Sequence, residues 1–254
     1  MRDVYVIIPV FNEIANLPNL LDSCREFVRN MEGKAVRFVF VDDGSTDGTA
    51  DWIGSASLDT PGELEVISVE NNTGPGYAFQ RGFRSLNGRV CDSDIVVTME
   101  GDNTSSLHVL YLMIMRIDLE GVDVALASPY SYGGGFNETS RSRELISFFA
   151  NSLTRIVLGI RGIHTYSSFF RVYTGRTIQR LQAIHGPEII KSTGFECMVE
   201  LLKKLVDLRV SISEVPLNLD SSKSRGKSKM RIFRTVKGYV RLFSTELLRP
   251  MGRK

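Results

Sequence analysis

The chain has 254 residues, 43% of them hydrophobic and 24% charged, which suits one large α/β core and excludes wholesale disorder. Its three cysteines, Cys24, Cys91 and Cys197, are scattered and odd in number, so neither a disulfide framework nor a cysteine metal cluster is expected and a reducing compartment is the simpler reading. The formal net charge of +2 hides an asymmetry: residues 221–254 hold 11 Lys/Arg and one acid, Glu246, a net of +10, against 20 bases and 28 acids, a net of −8, before them.

Val4 to Val10 is a continuous apolar run interrupted only by Pro9, the pattern of a buried parallel strand. It leads into Phe11-Asn12-Glu13, too early a stop for a signal peptide. A carboxylate there can accept hydrogen bonds from a ribose or base. Alternatively, Asn12 caps a helix whose dipole Glu13 favours. Ile14, Leu17, Leu20, Leu21, Cys24, Phe27 and Val28 recur at helical spacing. A second buried strand, Val36 to Val41, runs into Asp42-Asp43-Gly44-Ser45-Thr46-Asp47-Gly48-Thr49. Two adjacent carboxylates leaving a buried strand are more than stability requires. Asp42 is placed to take the N–H of a pyrimidine or guanine ring, while Ser45 or Asp47 can serve as a helix cap.

A short helix around Thr49 to Ile53 and a strand from Leu64 to Val69 precede Asn72-Thr73-Gly74-Pro75-Gly76. That run suits either a close approach to a phosphate or sugar, or a tight turn opening the helix Gly76 to Leu86. It matches neither the phosphate loop that ends in Gly-Lys-Ser/Thr nor the dinucleotide fingerprint. The strand Ile95 to Met99 delivers Glu100-Gly101-Asp102-Asn103-Thr104. Two carboxylates one residue apart after a buried strand suit Mg²⁺ or Mn²⁺ bridging to a diphosphate, unless the loop is merely acidic. A helix from Leu107 to Ile117 and a strand from Val122 to Ala127 complete a β-α alternation. The fold class is therefore α/β, a mostly parallel sheet with helices on both faces and ligands at the carboxyl ends of its strands.

After Pro129 the pattern changes. Ser131 to Ser140, rich in Gly, Ser and Asn, is expected to be a loop. A helix from Arg143 to Leu158, a strand near Phe169 to Tyr173, helices near Arg176–Ile184 and Phe195–Leu205, and a strand from Val210 to Leu217 follow. The domain division expected is 1–220 for the α/β domain and 221–254 for a basic amphipathic extension. In that extension Ile232, Phe233, Val236, Tyr239, Val240, Phe243, Leu247 and Leu248 recur at helical spacing, interleaved with Arg231, Arg234, Lys237 and Arg241. Such a helix either packs on the core or lies on an anionic membrane surface. It lacks a groove-reading module, so nucleic acid is not an expected partner. No stretch of about 18 uninterrupted apolar residues occurs, so no transmembrane helix is expected. His108, His164 and His185 show no ligand spacing.

Taken together, the strand ending in Pro-x-Phe-Asn-Glu, the Val-Asp-Asp-Gly-Ser-Thr-Asp-Gly-Thr run and the acid-x-acid motif some sixty residues on resemble family 2 glycosyltransferases of the GT-A fold. The second half is similar to polyprenyl-phosphate sugar synthases, the dolichyl-phosphate mannose synthase type. The residues that carry this likeness are Ser128-Pro129-Tyr130 with Gly133-Gly134, Arg143 with Ser147, Ser167 to Tyr173, and Lys223 to Lys229. The resemblance implies transfer of a sugar, with inversion, from a GDP- or UDP-linked donor to a polyprenyl phosphate. A surface glycan or its lipid-linked precursor is the alternative acceptor, and a non-catalytic nucleotide-sugar-binding subunit of a membrane enzyme the alternative role.

By the same resemblance Pro9, Phe11, Glu13 and Asp42, with Asp43 and Gly101, line the nucleotide. Glu100 and Asp102 hold Mg²⁺ or Mn²⁺, Asp102 also acting in catalysis. Arg143 and Ser147 grip the acceptor phosphate, and Lys223 and Lys229 neutralise the donor diphosphate. Glu100 stands where an aspartate is usual, Thr104 where a metal-contacting glutamine is common, and Pro129 where arginine is. Thr165 and Phe169 replace the Asp and Gly of an Asp-x-Thr-Ser-Gly-Phe-Arg pattern, and Lys223 replaces an arginine. Hydroxyl-acceptor relatives usually carry a Glu-Asp base in the second half; Glu196 and Glu200 are the nearest equivalents. The expected location is the cytoplasm, peripheral on a membrane face.

Overall fold

The computed structural model describes residues 2–31, 33–58, 62–137, 151–225 and 232–248. Five parallel-type strands are β1 (Val4–Val10), β2 (Val36–Asp42), β3 (Glu63–Ser68), β4 (Ile95–Thr98) and β5 (Val124–Ser128). Between them run the helices α1 (Leu17–Asn30), α2 (Thr49–Ser55), α3 (Pro75–Ser85) and α4 (Leu107–Glu120). In the second half come a helix, α5, described over 151–158, then β7 (Arg171–Thr174), α6 (Gly175–His185), α7 (Cys197–Asp207) and β8 (Ile212–Pro216). Strands β6 (Gly135–Asn137) and β9 (Asn218–Asp220), a short 3₁₀ turn (Ser221–Lys223) and α8 (Ile232–Leu247) complete the described elements.

The main sheet has the order β3-β2-β1-β4-β7-β5-β8. All its pairings are parallel except those of β7, which runs antiparallel between β4 and β5. Alternate residues of β1 serve opposite cores, as a strand's period of two requires. Val4, Val6, Ile8 and Val10 pack with α1 and α4, through Leu20, Phe27, Leu110 and Met113. Tyr5 and Ile7 pack with α3 and α7, through Phe79, Phe83, Leu201 and Leu205. The expected α/β architecture is thus the observed one.

β1 lies between β2 and β4, and the chain leaves it in opposite directions, so the crevice for a ligand opens at the carboxyl ends of these three strands. Residues 135–137, expected within a loop, instead pair with β9 in a separate two-stranded parallel ribbon. Three residues without alternating apolar pattern carry no local strand signal; the partner provides it.

The tail helix resolves into two faces. Leu242 and Phe243 are buried and Tyr239 packs against the α3/α7 core. Phe233, Val236, Val240, Leu247 and Leu248 remain exposed. One side of α8 therefore packs on the core and the other is open to solvent. No described helix is long and apolar enough to cross a membrane.

Where helix meets sheet most tightly, glycine is obligatory. A Cβ on Gly82 in α3 would lie 2.4 Å from Cγ2 of Ile7, which is fully buried in the middle of the sheet. Helix propensity alone favours alanine over glycine by about 1 kcal/mol. Gly82→Ala is nonetheless expected to destabilise the fold, by about 1–3 kcal/mol, because overpacking against an immovable strand outweighs propensity. Urea unfolding of the variant checks the sign: a gain in stability would show that α3 can shift.

Candidate active site

The turn after β1 and the turn after β2 are stapled together by side chain to backbone bonds. Asn12 N donates to Ser45 Oγ (2.8 Å), Glu13 N to Thr49 Oγ1 (2.9 Å) and Ile14 N to Asp47 Oδ2 (3.1 Å). In return Thr46 N donates to Asn12 Oδ1 (2.8 Å). Asn12, in the left-handed region at φ 53°, is therefore a link between turns and not a helix cap; α1 begins later, with Asn16 at the N-cap position. Gly48 takes the N-cap position of α2, and the Asp47 carboxylate accepts the amide of its first residue, Thr49 (3.0 Å), while Ser45 serves the Asn12 amide instead.

The paired aspartates have different surroundings, although both are 3% exposed. Asp43 is fully engaged: Thr73 N donates to Oδ1 (3.0 Å) and Gly74 N to Oδ2 (2.7 Å). Burial pushes its carboxyl up, against the pull of those two amides and of the Arg234 guanidinium. Asp42 receives Ser45 N on Oδ2 (3.2 Å), and its Oδ1 has no hydrogen-bond partner. A buried carboxylate oxygen without a donor is costly, and at a strand's carboxyl end it is a ready acceptor for a ligand N–H.

The Asn72–Gly76 run supports this arrangement structurally. A Cβ on Gly74, at φ +120°, would lie 2.4 Å from Thr193 O, and one on Gly76 would lie 2.2 Å from Ser192 O. Gly76 N donates to Thr193 O (2.9 Å). These glycines serve the close approach of the 192–193 main chain, which accounts for them without a phosphate.

The acid loop after β4 folds back onto the end of β1. A Cβ on Gly101 would meet Val10 Cγ1 at 2.8 Å and Pro9 O at 3.1 Å, so the two turns touch where only glycine fits. Glu100 takes the Ser105 hydroxyl on Oε2 (2.5 Å). Asp102 Oδ1 takes Thr104 N (3.1 Å) and Thr104 Oγ1 (2.6 Å), so Thr104 orients the acid. Burial pushes the Glu100 carboxyl up to about 7, helped by the Asp102 charge and opposed by the Ser105 hydroxyl and the Phe169 amide. Two carboxylates held this close fit a hard divalent cation, which would offset their repulsion. Among the described residues no group of three or more His, Cys, Asp or Glu could hold a metal, so other ligands would come from substrate or water.

The second half frames the crevice. Arg171, fully buried, donates from Nε to Ser168 O and from Nη2 to Tyr166 O, each at 2.7 Å, and so shapes the turn that aims the Phe169 amide at Glu100. Phe169 packs edge-on to Phe79 (centroids 5.1 Å) and stacks on Phe195 (5.6 Å). Thr165 Oγ1 bonds Ser128 Oγ (2.6 Å). Glu200 accepts from Ser192 N (2.7 Å) and Lys191 N, and pairs with Lys204 Nζ (2.5 Å). Glu196 is 6% exposed and covered by α8: a Cβ on Gly238 would lie 2.3 Å from its Oε2.

Thus Pro9, Phe11, Glu13, Asp42, Asp43, Glu100, Gly101 and Asp102 all lie at or just after the adjacent carboxyl ends of β1, β2 and β4. Lys223 sits exposed on the 3₁₀ turn that follows β9. Arg143, Ser147 and Lys229 lie outside the described residues. Asn16 belongs to none of the sequence motifs. It is 1% exposed and bonded to Glu13 and Arg225, and its only local signal is a polar residue at a position where the helix pattern begins.

The family model described as "Glycosyl transferase family 2" matches residues 5–179. A polyprenol monophosphomannose synthase of Mycolicibacterium smegmatis is 28% identical over 225 residues, 89% of this chain and 80% of that protein. A dolichol-phosphate mannosyltransferase of Pyrococcus furiosus is 31% identical over 248 residues, 96% of this chain and 64% of that protein. Among solved structures, glucosyl-3-phosphoglycerate synthase from Mycobacterium tuberculosis, in complex with Mn²⁺, UDP-glucose and phosphoglyceric acid, superposes with a TM-score of 0.63. It covers 99% of this chain and 82% of that one at 18% identity, a likeness of fold alone.

Glu100 carries a pH signature of its own. Folded, its carboxyl titrates near 7 against an ordinary 4.5, so between those values the folded chain holds a proton that the unfolded chain has lost. Metal-free stability therefore falls as pH rises through that window. Glu100→Gln removes the charge, and relative to the parent it should gain on the order of 1–3 kcal/mol between pH 5 and pH 8. Denaturant titrations with EDTA at both pH values check this. The same difference at both would show that Glu100 is already ionised at pH 5.

Proposed function

This chain belongs to glycosyltransferase family 2, and we propose that it moves a sugar from a GDP- or UDP-linked donor to a polyprenyl phosphate, inverting the anomeric carbon. The donor side of this reading rests on Asp42 Oδ1, a buried acceptor without a partner at the crevice, suited to the N–H of a guanine or uracil ring. Pro9, Phe11, Glu13 and Gly101, with Asp43, line the nucleotide beside it. Glu100 and Asp102 would hold Mg²⁺ or Mn²⁺, and that ion would neutralise charge building on the departing diphosphate. Lys223 and Lys229 add positive charge on the same leaving group.

The acceptor side rests on one observation: neither candidate base in the second half is open to the crevice. Glu196 is buried beneath α8, its Oε1 taking the Gly194 amide while its Oε2 lies against Gly238 without a hydrogen-bond partner, and Glu200 is bound to Lys204 and two amides. A hydroxyl acceptor needs a base within reach of its proton. A phosphate acceptor is anionic near neutral pH and needs only to be oriented, a task suited to the Arg143 guanidinium and the Ser147 hydroxyl. The names of the mycobacterial and Pyrococcus relatives, with lipid-phosphate mannose transfer in them, support the same acceptor class.

The test is transfer from radiolabelled GDP- and UDP-sugars to polyprenyl phosphate and to soluble glycans, with Mn²⁺ or EDTA. The expected result is label in the lipid phosphate only, dependent on metal. Asp102→Asn should reduce turnover by at least about 100-fold in a folded protein, and Arg143→Ala should raise the polyprenyl phosphate requirement without changing donor affinity. Label in soluble glycans would overturn the acceptor. Absence of donor turnover would favour a binding subunit.

The reading extends to a peripheral enzyme on the cytoplasmic face of a membrane. The exposed side of α8 supports it: an apolar stripe of Phe233, Val236, Val240 and Leu247, with exposed Arg234, Lys237 and Arg241 around it. Each cation near an anionic surface contributes on the order of 1 kcal/mol. Co-sedimentation with anionic liposomes is expected, weakened by high salt. It should be lost in Phe233→Ser/Val240→Ser, which leaves the core face of α8 intact. Sedimentation unchanged in that variant would assign binding to another surface.

A further inference from the structure

Asn16 occupies the N-cap position of α1, where an asparagine ordinarily turns its side chain onto the free amides of the first helical turn. Here its side chain makes no capping bond. The carboxamide instead reaches a segment 209 residues away in sequence: Arg225 N donates to Oδ1 at 2.9 Å, and Nδ2 donates to Arg225 O at 3.0 Å. One side chain thus pairs with both polar groups of one residue's main chain, as a neighbouring strand would.

The rest of Asn16 ties this clamp to the crevice. Nδ2 also donates to the Glu13 carboxylate, and the main-chain N donates to Glu13 O at 2.8 Å. The main-chain O accepts from Asn103 Nδ2 at 3.0 Å, and Asn103 is held at φ 68° in the acid loop between Asp102 and Thr104. Three segments therefore meet on a single buried residue: the nucleotide turn, the metal loop and the basic segment. Among the described residues the last bears two exposed cations, Lys223 on the 3₁₀ turn and Arg225 at the clamp itself.

We propose that Asn16 is a positioning residue that holds the segment carrying Lys223 and Arg225 beside the donor's diphosphate. The inference rests on the donor-site reading above and adds to it the residue that fixes the cations. Helix capping does not explain the side chain, since it does not cap. Core packing does not explain it either, because its contacts are hydrogen bonds to polar turns. A carboxamide is the group that offers a peptide both a donor and an acceptor. Aspartate has the same shape but sets a second acceptor against the Arg225 carbonyl.

Calorimetric titration in Mn²⁺ with UDP and GDP, and with UMP and GMP, tests the proposal on the full chain. Thermal melts of each variant establish that it is folded. Asn16→Ala is expected to weaken the diphosphate that wild type binds by about tenfold, and its monophosphate by less than about threefold. Lys223→Ala/Arg225→Ala should show the same pattern, and adding Asn16→Ala to it should cost nothing more. Should Asn16→Ala fail to fold, Asn16→Asp, of nearly identical volume, takes its place with the same expectation. Equal loss for mono- and diphosphate, or losses that add, would make Asn16 a general scaffold and overturn the proposal. Wild-type binding with undiminished affinity in the variants overturns it as well and leaves the donor site standing. A wild type that binds neither UDP nor GDP overturns the donor site itself.

Discussion

Carboxylates crowded at the ends of parallel strands must find donors, and that requirement shapes the whole ligand edge. β1, β2 and β4 end side by side, and the residues at or after their ends include Glu13, Asp42, Asp43, Asp47, Glu100 and Asp102. Leaving such groups buried and unpaired is expensive. The fold answers mostly with backbone amides and hydroxyls from neighbouring turns: Thr73 and Gly74 for Asp43, Ile14 and Thr49 for Asp47, Thr104 for Asp102 and Ser105 for Glu100. Turns that share these bonds cannot move independently, which makes the crevice rigid before any ligand arrives.

Two groups stand apart. Asp42 keeps one oxygen without a donor, and Glu100 is driven toward neutrality by burial and by Asp102. An edge otherwise so well supplied with donors leaves these two where base recognition and a cation would satisfy them. Stability is given up locally at these two positions.

The second half limits the same edge from the opposite side. The 192–193 main chain presses on Gly74 and Gly76, Arg234 of α8 hydrogen-bonds the Thr73 carbonyl, and Gly238 covers Glu196. α8 is accordingly part of the wall around the crevice as well as the bearer of an exposed apolar stripe. The departures from the family pattern also find their place here. Phe169, where glycine is usual, fills the space between Phe79 and Phe195, and Thr165, where aspartate is usual, keeps a polar partner in Ser128. The Phe169 amide still reaches Glu100, since a main-chain bond is indifferent to the side chain.

Local pattern was sufficient for much of this. Val4 to Val10, Val36 to Val41 and Ile95 to Met99 are apolar throughout because a parallel strand is covered on both faces, and their polar ends mark the ligand edge. Other features are set between segments far apart in the chain, where no periodicity reports them. β6 exists because β9 lies beside it, and β7 runs antiparallel because of where the second half re-enters the sheet. Asp42 and Asp43 look alike in sequence, and only the Thr73–Gly74 amides distinguish the engaged carboxylate from the available one. Asn16 reads as an ordinary helix start until Arg225, 209 residues on, is brought against it. Composition and spacing determine which residues will be buried and which will gather at the strand ends. Which polar atoms are satisfied there is decided by tertiary structure, because a hydrogen bond needs its partner within about 3 Å whatever the distance along the chain.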